Sequence, residues 1–144
     1  MHPKKFIYKI DETKIVAAIS RAEQATSGEI RVCVSHRCPV DALAAAKERF
    51  LQLGMVHTQH RNAVLLYFIP RANTFAIWGD IGVHEKCTHE FWQTIAANLS
   101  PLLKADRFAE AVEESVLSVG QMLARHFPPG LDDRNDLPNA IVED

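Results

Sequence analysis

The segment that most constrains the fold is NAVLLYFIP, at residues 62–70, which is nearly all apolar. A strand with one wet face alternates polar and apolar side chains, so a continuous apolar run predicts a central strand that is covered on both faces. The turn RAN and a second strand-like segment, TFAIWGD at 74–80, follow at once. So short a link predicts an antiparallel hairpin.

Helical patterns flank these two strands. DETKIVAAISRAEQATSG reads as an amphipathic helix that Asp11 caps and Gly28 ends. The segment EIRVCVSH then alternates, which predicts a strand. Asp41 begins a second helix, and Asp106 is expected to cap the last long one. Between them, the stretch after Gly82 is predicted to be helical, with a new short helix starting at Pro101.

The order of elements predicts the architecture. Two strands joined through a helix should be parallel, with a right-handed crossover. We therefore expect an α/β fold, a three-layer α/β/α sandwich whose mixed, mostly parallel central sheet has about four strands. KFIYKI, at residues 5–10, is expected to add an edge strand. Residues 1–127 are expected to form the single domain, and 128–144 an acidic, Pro-rich C-terminal tail.

Composition narrows the class of protein. The chain has 144 residues and a net charge of −2, without the clustered Lys and Arg that a nucleic-acid partner requires. It has neither an apolar run long enough to span a bilayer nor a signal-peptide pattern. We therefore expect a cytoplasmic protein, with no direct membrane insertion and with its three cysteines reduced.

Familiar catalytic motifs are missing. In HEKCTH, at residues 84–89, the histidines stand five positions apart, roughly 140° around a helix, so they cannot share one zinc ion as the histidines of HExxH do. The glycines at 79 and 82 form neither a dinucleotide fingerprint nor a P-loop. There is no GxSxG nucleophile elbow, and we expect no organic cofactor.

Chain direction predicts a site instead. The hairpin returns Asp80 to the start of the strand at Asn62, and the parallel strand that begins at Glu29 starts at the same edge. Glu85 follows just beyond, and Asp106 is expected to reach the same rim. Oxygen ligands that converge without Cys or His suit calcium or magnesium. The alternative is that the aspartates cap helices and that Glu29 is a solvated strand end.

Four segments together resemble the TPM-domain family. They are TSGEIRV, RNAVLLYFIP, FAIWGDIGVHEK…FW and FAEAVEESVLSVGQMLARHFP, and the tail DDRNDLP resembles a cytosolic bacterial branch of that family. The resemblance covers roughly residues 10–140 and implies the same α/β/α sandwich. It also implies that the rim acids are Glu29, either Asp80 or Glu85, and Asp106.

The family implies two kinds of function. Some members are described as acid phosphatases and some bind calcium at the rim, whereas others are membrane-anchored or accessory subunits. We expect this chain to lack the signal peptide and transmembrane tail of many members. Its GDIGVHE stretch also departs from the usual Gly-aromatic-Gly-aliphatic-Glu pattern.

Two hypotheses about function follow. The favoured one is a non-catalytic or accessory binding module for a protein partner or a membrane-associated complex, with Trp78 and Trp92 as candidate anchors. The alternative is a metal-dependent phosphoester hydrolase of the acid-phosphatase type. In that case Arg61 would contact phosphate, and His60 and His84 are the nearest candidate bases.

Overall fold

The computed structural model describes residues 1–130 and 137–144. The helices within these residues are α1 Pro3–Lys9, α2 Glu12–Gln24, α3 Ala42–Gln52, α4 Ile81–Lys86, α5 His89–Lys104 and α6 Phe108–His126. The strands are β1 Glu29–Val34, β2 Ala63–Ile69, β3 Thr74–Gly79 and β4 Val142–Glu143. A single 3₁₀ turn, Pro70–Ala72, joins β2 to β3.

The described strands form one mixed sheet in the order β3-β2-β1-β4. Strand β1 is parallel to both β2 and β4, whereas β2 and β3 are antiparallel. The predicted fold class is therefore confirmed, including the hairpin. Every residue of β2 is buried, as its apolar run predicts.

Each face of the sheet has its own hydrophobic core. Even-numbered residues of β1, such as Ile30 and Val32, join the core formed with α2, α5 and α6. Odd-numbered Cys33 joins a smaller core on the opposite face, where α3 contributes Ala46 and Phe50. Helices therefore cover both faces, which gives the three predicted layers.

The prediction of an edge strand at residues 5–10 is wrong, because most of that segment belongs to α1. The His2 side chain accepts a hydrogen bond from the Lys4 backbone N–H and so caps the helix, and Pro3 suits its first turn. Phe6 is 2% exposed and packs 5.1 Å, ring to ring, from Phe108. Phe6 and Ile10, four residues apart, are both buried whereas Tyr8 is 89% exposed, so the segment follows helical spacing and not strand alternation.

Two predicted helix boundaries are also wrong. Helix α5 runs unbroken through Pro101, because a proline inside a helix removes a single backbone hydrogen bond and the apolar face continues to Leu103. Asp106 does not cap α6, whose N-cap is Arg107. Asp106 instead takes a left-handed conformation, φ 58°, in the turn between α5 and α6.

The end of the chain contacts the sheet directly. Leu137 is buried in the core on the α3 side, and β4 pairs with β1 at Cys33 and Val34. The side chain of Asp144 accepts hydrogen bonds from the hydroxyl groups of Ser35 and Tyr67. Residues 137–144 therefore lie along the outer edge of β1, in the segment that the sequence assigns to a tail. The motif DDRNDLP lies mostly outside the described residues.

Candidate functional site

Three polar positions meet at one rim of the sheet, as chain direction predicts. Glu29 is in register with Ala63, which follows Asn62. The backbone N–H of Asp80 donates to the carbonyl of Ala63 at 2.9 Å. The starts of β1 and β2 and the end of β3 therefore share this rim.

Asp80 is already paired at the rim. Its side chain is 5% exposed, and its two oxygens accept from Nε and Nη2 of Arg61 at 2.6 and 2.8 Å. The oxygen nearer Nη2 also accepts from the backbone N–H of Ile81 at 2.8 Å and caps α4. Hydrogen bonding to Asp80 raises the pKa of Arg61. Arg61, the candidate phosphate contact, therefore forms a bidentate ion pair with Asp80, the candidate metal ligand.

Local backbone geometry sets this pair. Arg61 adopts a left-handed φ of 52°, which turns the chain sharply before β2. The backbone N–H of Gly82 donates to the carbonyl of Arg61 at 2.9 Å. A Cβ on Gly82 would lie 2.7 Å from that carbonyl oxygen, so the approach of α4 to the Arg61 turn requires glycine.

Glu29 has a different environment, at the outer edge of β1. It is 3% exposed, and its Oε1 accepts from the backbone N–H of Leu137 at 3.0 Å. A second acid, Glu23 of α2, accepts from the backbone N–H of Ile30 at 2.9 Å. Burial raises the pKa of Glu23 to about 7; the Ile30 hydrogen bond opposes this rise and the charge of Glu29 reinforces it.

Glu23 belongs to this edge, although it is absent from the residues predicted from the sequence. Its position four residues after Ile19, a buried residue of α2, places it on the inward side of the helix. An acidic residue on the inward side of a helix was the sequence signal that could have identified Glu23. The crowding of carboxylates that the sequence predicts thus involves Glu23 and Glu29.

The four predicted ligands do not gather at the rim. Glu85 is exposed on α4, beside the rim. Asp106 lies at the far end of the sheet, because its neighbours Leu103 and Phe108 line a small cavity with Ile69, in the last position of β2. Within residues 1–130 and 137–144, no three His, Cys, Asp or Glu side chains are grouped so as to hold a metal ion.

The predicted donor set therefore does not fit a calcium or magnesium ion as it stands. Both oxygens of Asp80 accept hydrogen bonds from Arg61, whose charge already neutralises that carboxylate. Asp106 is at the wrong end of the sheet. A cation at the rim stays a prediction.

A second feature, an apolar groove, runs beside β3 at the edge of the sheet. It encloses about 310 Å³ between α3 on one side and α4 and α5 on the other. Its lining residues are Leu43, Ile77, Trp78, His84, Cys87, His89 and Trp92. The two predicted anchors, Trp78 and Trp92, therefore line the same groove, and both are only partly buried.

The backbone of β3 is open along this groove. The N–H of Ser35 donates to the carbonyl of Phe68, so Phe68 faces β1, whereas Ala63 faces β3 because it accepts from Asp80. Alternation along β2 and the β2–β3 register then give the residues of β3 whose backbone groups point away from the sheet. They are Phe75, Ile77 and Gly79.

Charge and aromatic contacts surround the groove. Lys47 of α3 places Nζ 5.4 Å from the centre of the Trp78 ring, in a cation–π contact. The His84 ring meets Trp78 edge to face at 5.4 Å. A neighbouring cavity of about 220 Å³ shares Trp78 and His84 with the groove and extends to Arg61 and Asp80. The groove therefore continues toward the rim.

No helix in the described part of the chain is both long enough and apolar enough to cross a membrane.

These features define the class of protein: a single α/β domain with a mixed sheet, an ion-paired rim and an open edge strand. The family model of the TPM domain matches residues 2–122, and the chain belongs to that family. A search of curated proteins finds no match.

Two solved structures resemble the domain. The BA42 protein of the psychrophilic bacterium Bizionia argentinensis, solved by NMR, is 34% identical, with 92% of each chain covered and a TM-score of 0.85. The N-terminal domain of the cg2496 protein of Corynebacterium glutamicum is 17% identical over 85% of this chain and 76% of that one, with a TM-score of 0.61. The second likeness concerns the fold alone.

Proposed function

We propose that this TPM domain is a non-catalytic binding module that takes an extended segment of a partner protein along the open edge of β3. The observation that supports the proposal is the coincidence of an edge strand with an apolar groove that holds both tryptophans of the chain. The partner is a protein, either free or within a membrane-associated complex.

The backbone of β3 suits the addition of a strand. An extended segment placed beside Phe75–Ile77 would pair with the outward N–H and C=O groups of Phe75 and Ile77, which are only partly buried, whereas Gly79 is buried. Strand addition takes its affinity from such main-chain hydrogen bonds and its specificity from pockets for alternate side chains. A protein that leaves an edge strand unprotected also risks aggregation, so an open edge flanked by apolar side chains is typical of a docking surface.

The groove specifies the chemistry of the bound segment. Trp78 and Trp92 offer large, partly exposed rings to apolar side chains, the residue type that dominates binding at protein interfaces. Lys47, over the Trp78 ring, is the nearby cation that can attract an acid, because the charge of Arg61 is already paired with Asp80. We expect the segment to alternate apolar residues with at least one acid.

A substitution at Ile77 isolates the main-chain contact. Its N–H points outward, so Ile77→Pro removes a donor from the groove and leaves the β2–β3 ladder intact, as edge strands permit. Ile77→Ala removes the side chain but keeps the N–H and is the matched control. A photo-crosslinker at Leu43 should capture a stoichiometric partner with the wild type and the Ala variant, but not with the Pro variant. Equal capture by all three would remove the β3 edge from binding.

The alternative is a metal-dependent phosphoester hydrolase at the rim, and it has its own test. Elemental analysis and a calcium titration followed by thermal unfolding would reveal a bound ion, because a ligand of the native state raises its stability. Phosphatase activity lost in Asp80→Asn would favour the hydrolase. Activity equal in the two proteins would exclude Asp80 from the reaction.

A further inference from the structure

Arg31, on β1, is a buried cation that has no hydrogen-bond or ion-pair partner among residues 1–130 and 137–144. It lies on the same face of the strand as Cys33, toward α3, and is 9% exposed. Its Nε is buried and has no hydrogen-bond partner, and within residues 1–130 and 137–144 its guanidinium forms no ion pair. A buried charge is ordinarily paired, because leaving water without compensation is costly.

Arg49, on α3, repeats the pattern beside it. Its Nε is also buried without a partner, while Nη2 donates to the backbone carbonyl of Glu143 at 2.9 Å. Nη1 makes a long contact with Oε1 of Gln52 at 3.4 Å, and the guanidinium also contacts the thiol of Cys33, so its described partners are uncharged acceptors. The two arginines lie beside the same stretch of β1, because Arg49 reaches Glu143, which pairs with Val34, while Arg31 stands two residues before Cys33 on the α3 face. Burial, and then the charge of Arg49, lower the pKa of Arg31.

We propose that Arg31 and Arg49 form a binding site for a small oxyanion, of the sulfate or phosphate type, between β1 and α3. A tetrahedral oxyanion offers several acceptors at once, so it can accept from both Nε–H groups. It also neutralises the two charges, which uncharged acceptors cannot do. Guanidinium groups favour such ligands because their N–H donors form a rigid fork.

The site has a structural role distinct from the β3 groove. Arg49 holds the carbonyl of Glu143, in β4, while its helix covers the α3 side of the sheet. An anion that binds both arginines therefore ties β1, α3 and the last strand together. Neither Arg61 nor Trp78 takes part, so failure of the β3 docking proposal would leave this one standing.

The first test is a thermal titration with sodium sulfate and sodium phosphate, against sodium chloride at equal ionic strength. Sulfate and phosphate also stabilise proteins generally by exclusion from the surface, so the variants decide the result. In Arg31→Gln, the anion affinity should fall about tenfold to a hundredfold, as expected when a charged hydrogen-bonding group is lost. Arg49→Gln should behave alike, while Arg21→Gln, at an exposed arginine of α2, should bind like the wild type.

A second measurement is independent of the folding of the variants. In ¹⁵N-labelled wild-type protein, the Nε–Hε signals of Arg31 and Arg49 should shift together and saturate as sulfate is added. Glycerol 3-phosphate distinguishes a free anion from a phosphate group on a larger molecule: binding by sulfate alone indicates a closed site. Signals that do not move, or an equal response from Arg21, would overturn the proposal.

Discussion

Replacing Glu23 with glutamine should make the protein more stable at neutral and alkaline pH. Burial raises the pKa of Glu23 from 4.5 to about 7, against the Ile30 hydrogen bond and with the help of Glu29. The folded state therefore holds a proton that the unfolded state has released between those two pH values. The free energy of unfolding must fall as pH rises from about 4.5 to about 7, and then level off.

The size of the effect follows from the pKa difference. At 1.36 kcal/mol per pKa unit, the change from 4.5 to about 7 corresponds to about 3.4 kcal/mol as an upper limit. The side chain is only partly buried, and solvent screens its charge, so we expect about 1–2 kcal/mol. Glutamine keeps an acceptor for the N–H of Ile30 but carries no charge toward Glu29.

Urea unfolding followed by tryptophan fluorescence would measure this difference at several pH values. Glu23→Gln should match the wild type at about pH 5 and exceed it by about 1–2 kcal/mol at about pH 8. Glu12→Gln, at an exposed acid of the same helix, is the control and should change stability little at either pH. A wild-type protein whose stability is flat between those values, or a Glu23→Gln gain equal at both, would refute the reasoning.

Three further changes test the packing around the sheet. Gly82→Ala places a Cβ 2.7 Å from the Arg61 carbonyl oxygen and should cost about 1–3 kcal/mol in the free energy of unfolding measured in urea. Leu137→Ala should cost about 2 kcal/mol or more and should expose the β1 edge to amide hydrogen exchange, since Leu137 is buried. Burial alone would raise the pKa of Asp144, but hydrogen bonds to its carboxylate, from Ser35 and then Tyr67, together hold that pKa below its ordinary value. Asp144→Asn should therefore be less stable than the wild type near neutral pH. This difference in the free energy of unfolding should disappear as acid protonates the wild-type carboxylate, and urea unfolding across the acid range would measure it.

The sequence predicted the centre of the fold better than its borders. The all-apolar run of β2 and the short turn after it define a covered strand and a hairpin, and no long-range contact is needed to infer either. The helix at residues 3–9 and the continuity of α5 through Pro101 depend on tertiary burial of Phe6 and Leu103. Local pattern does not contain that information.

The candidate site shows the same division. Strand direction placed the backbones of Glu29 and Asp80 at one rim, but side-chain partners cannot be read from direction. Arg61 reaches Asp80 because the backbone of Arg61 is left-handed. An arginine at that position gives no indication of a left-handed conformation. Strand β4 has two residues, too few to show an alternating pattern, so its pairing with β1 could not be predicted from the sequence either.

The two edges of the sheet differ in a way that favours β3 as the binding edge. At the β1 edge, Glu23 accepts from the N–H of Ile30, and β4 pairs with Cys33 and Val34. Part of that edge therefore has its hydrogen-bonding groups occupied by the protein itself. At the β3 edge, Phe75 and Ile77 keep their outward backbone groups beside an apolar groove. Because unsatisfied strand edges invite pairing, the partner strand that we propose is expected at the β3 edge, which is the less occupied of the two.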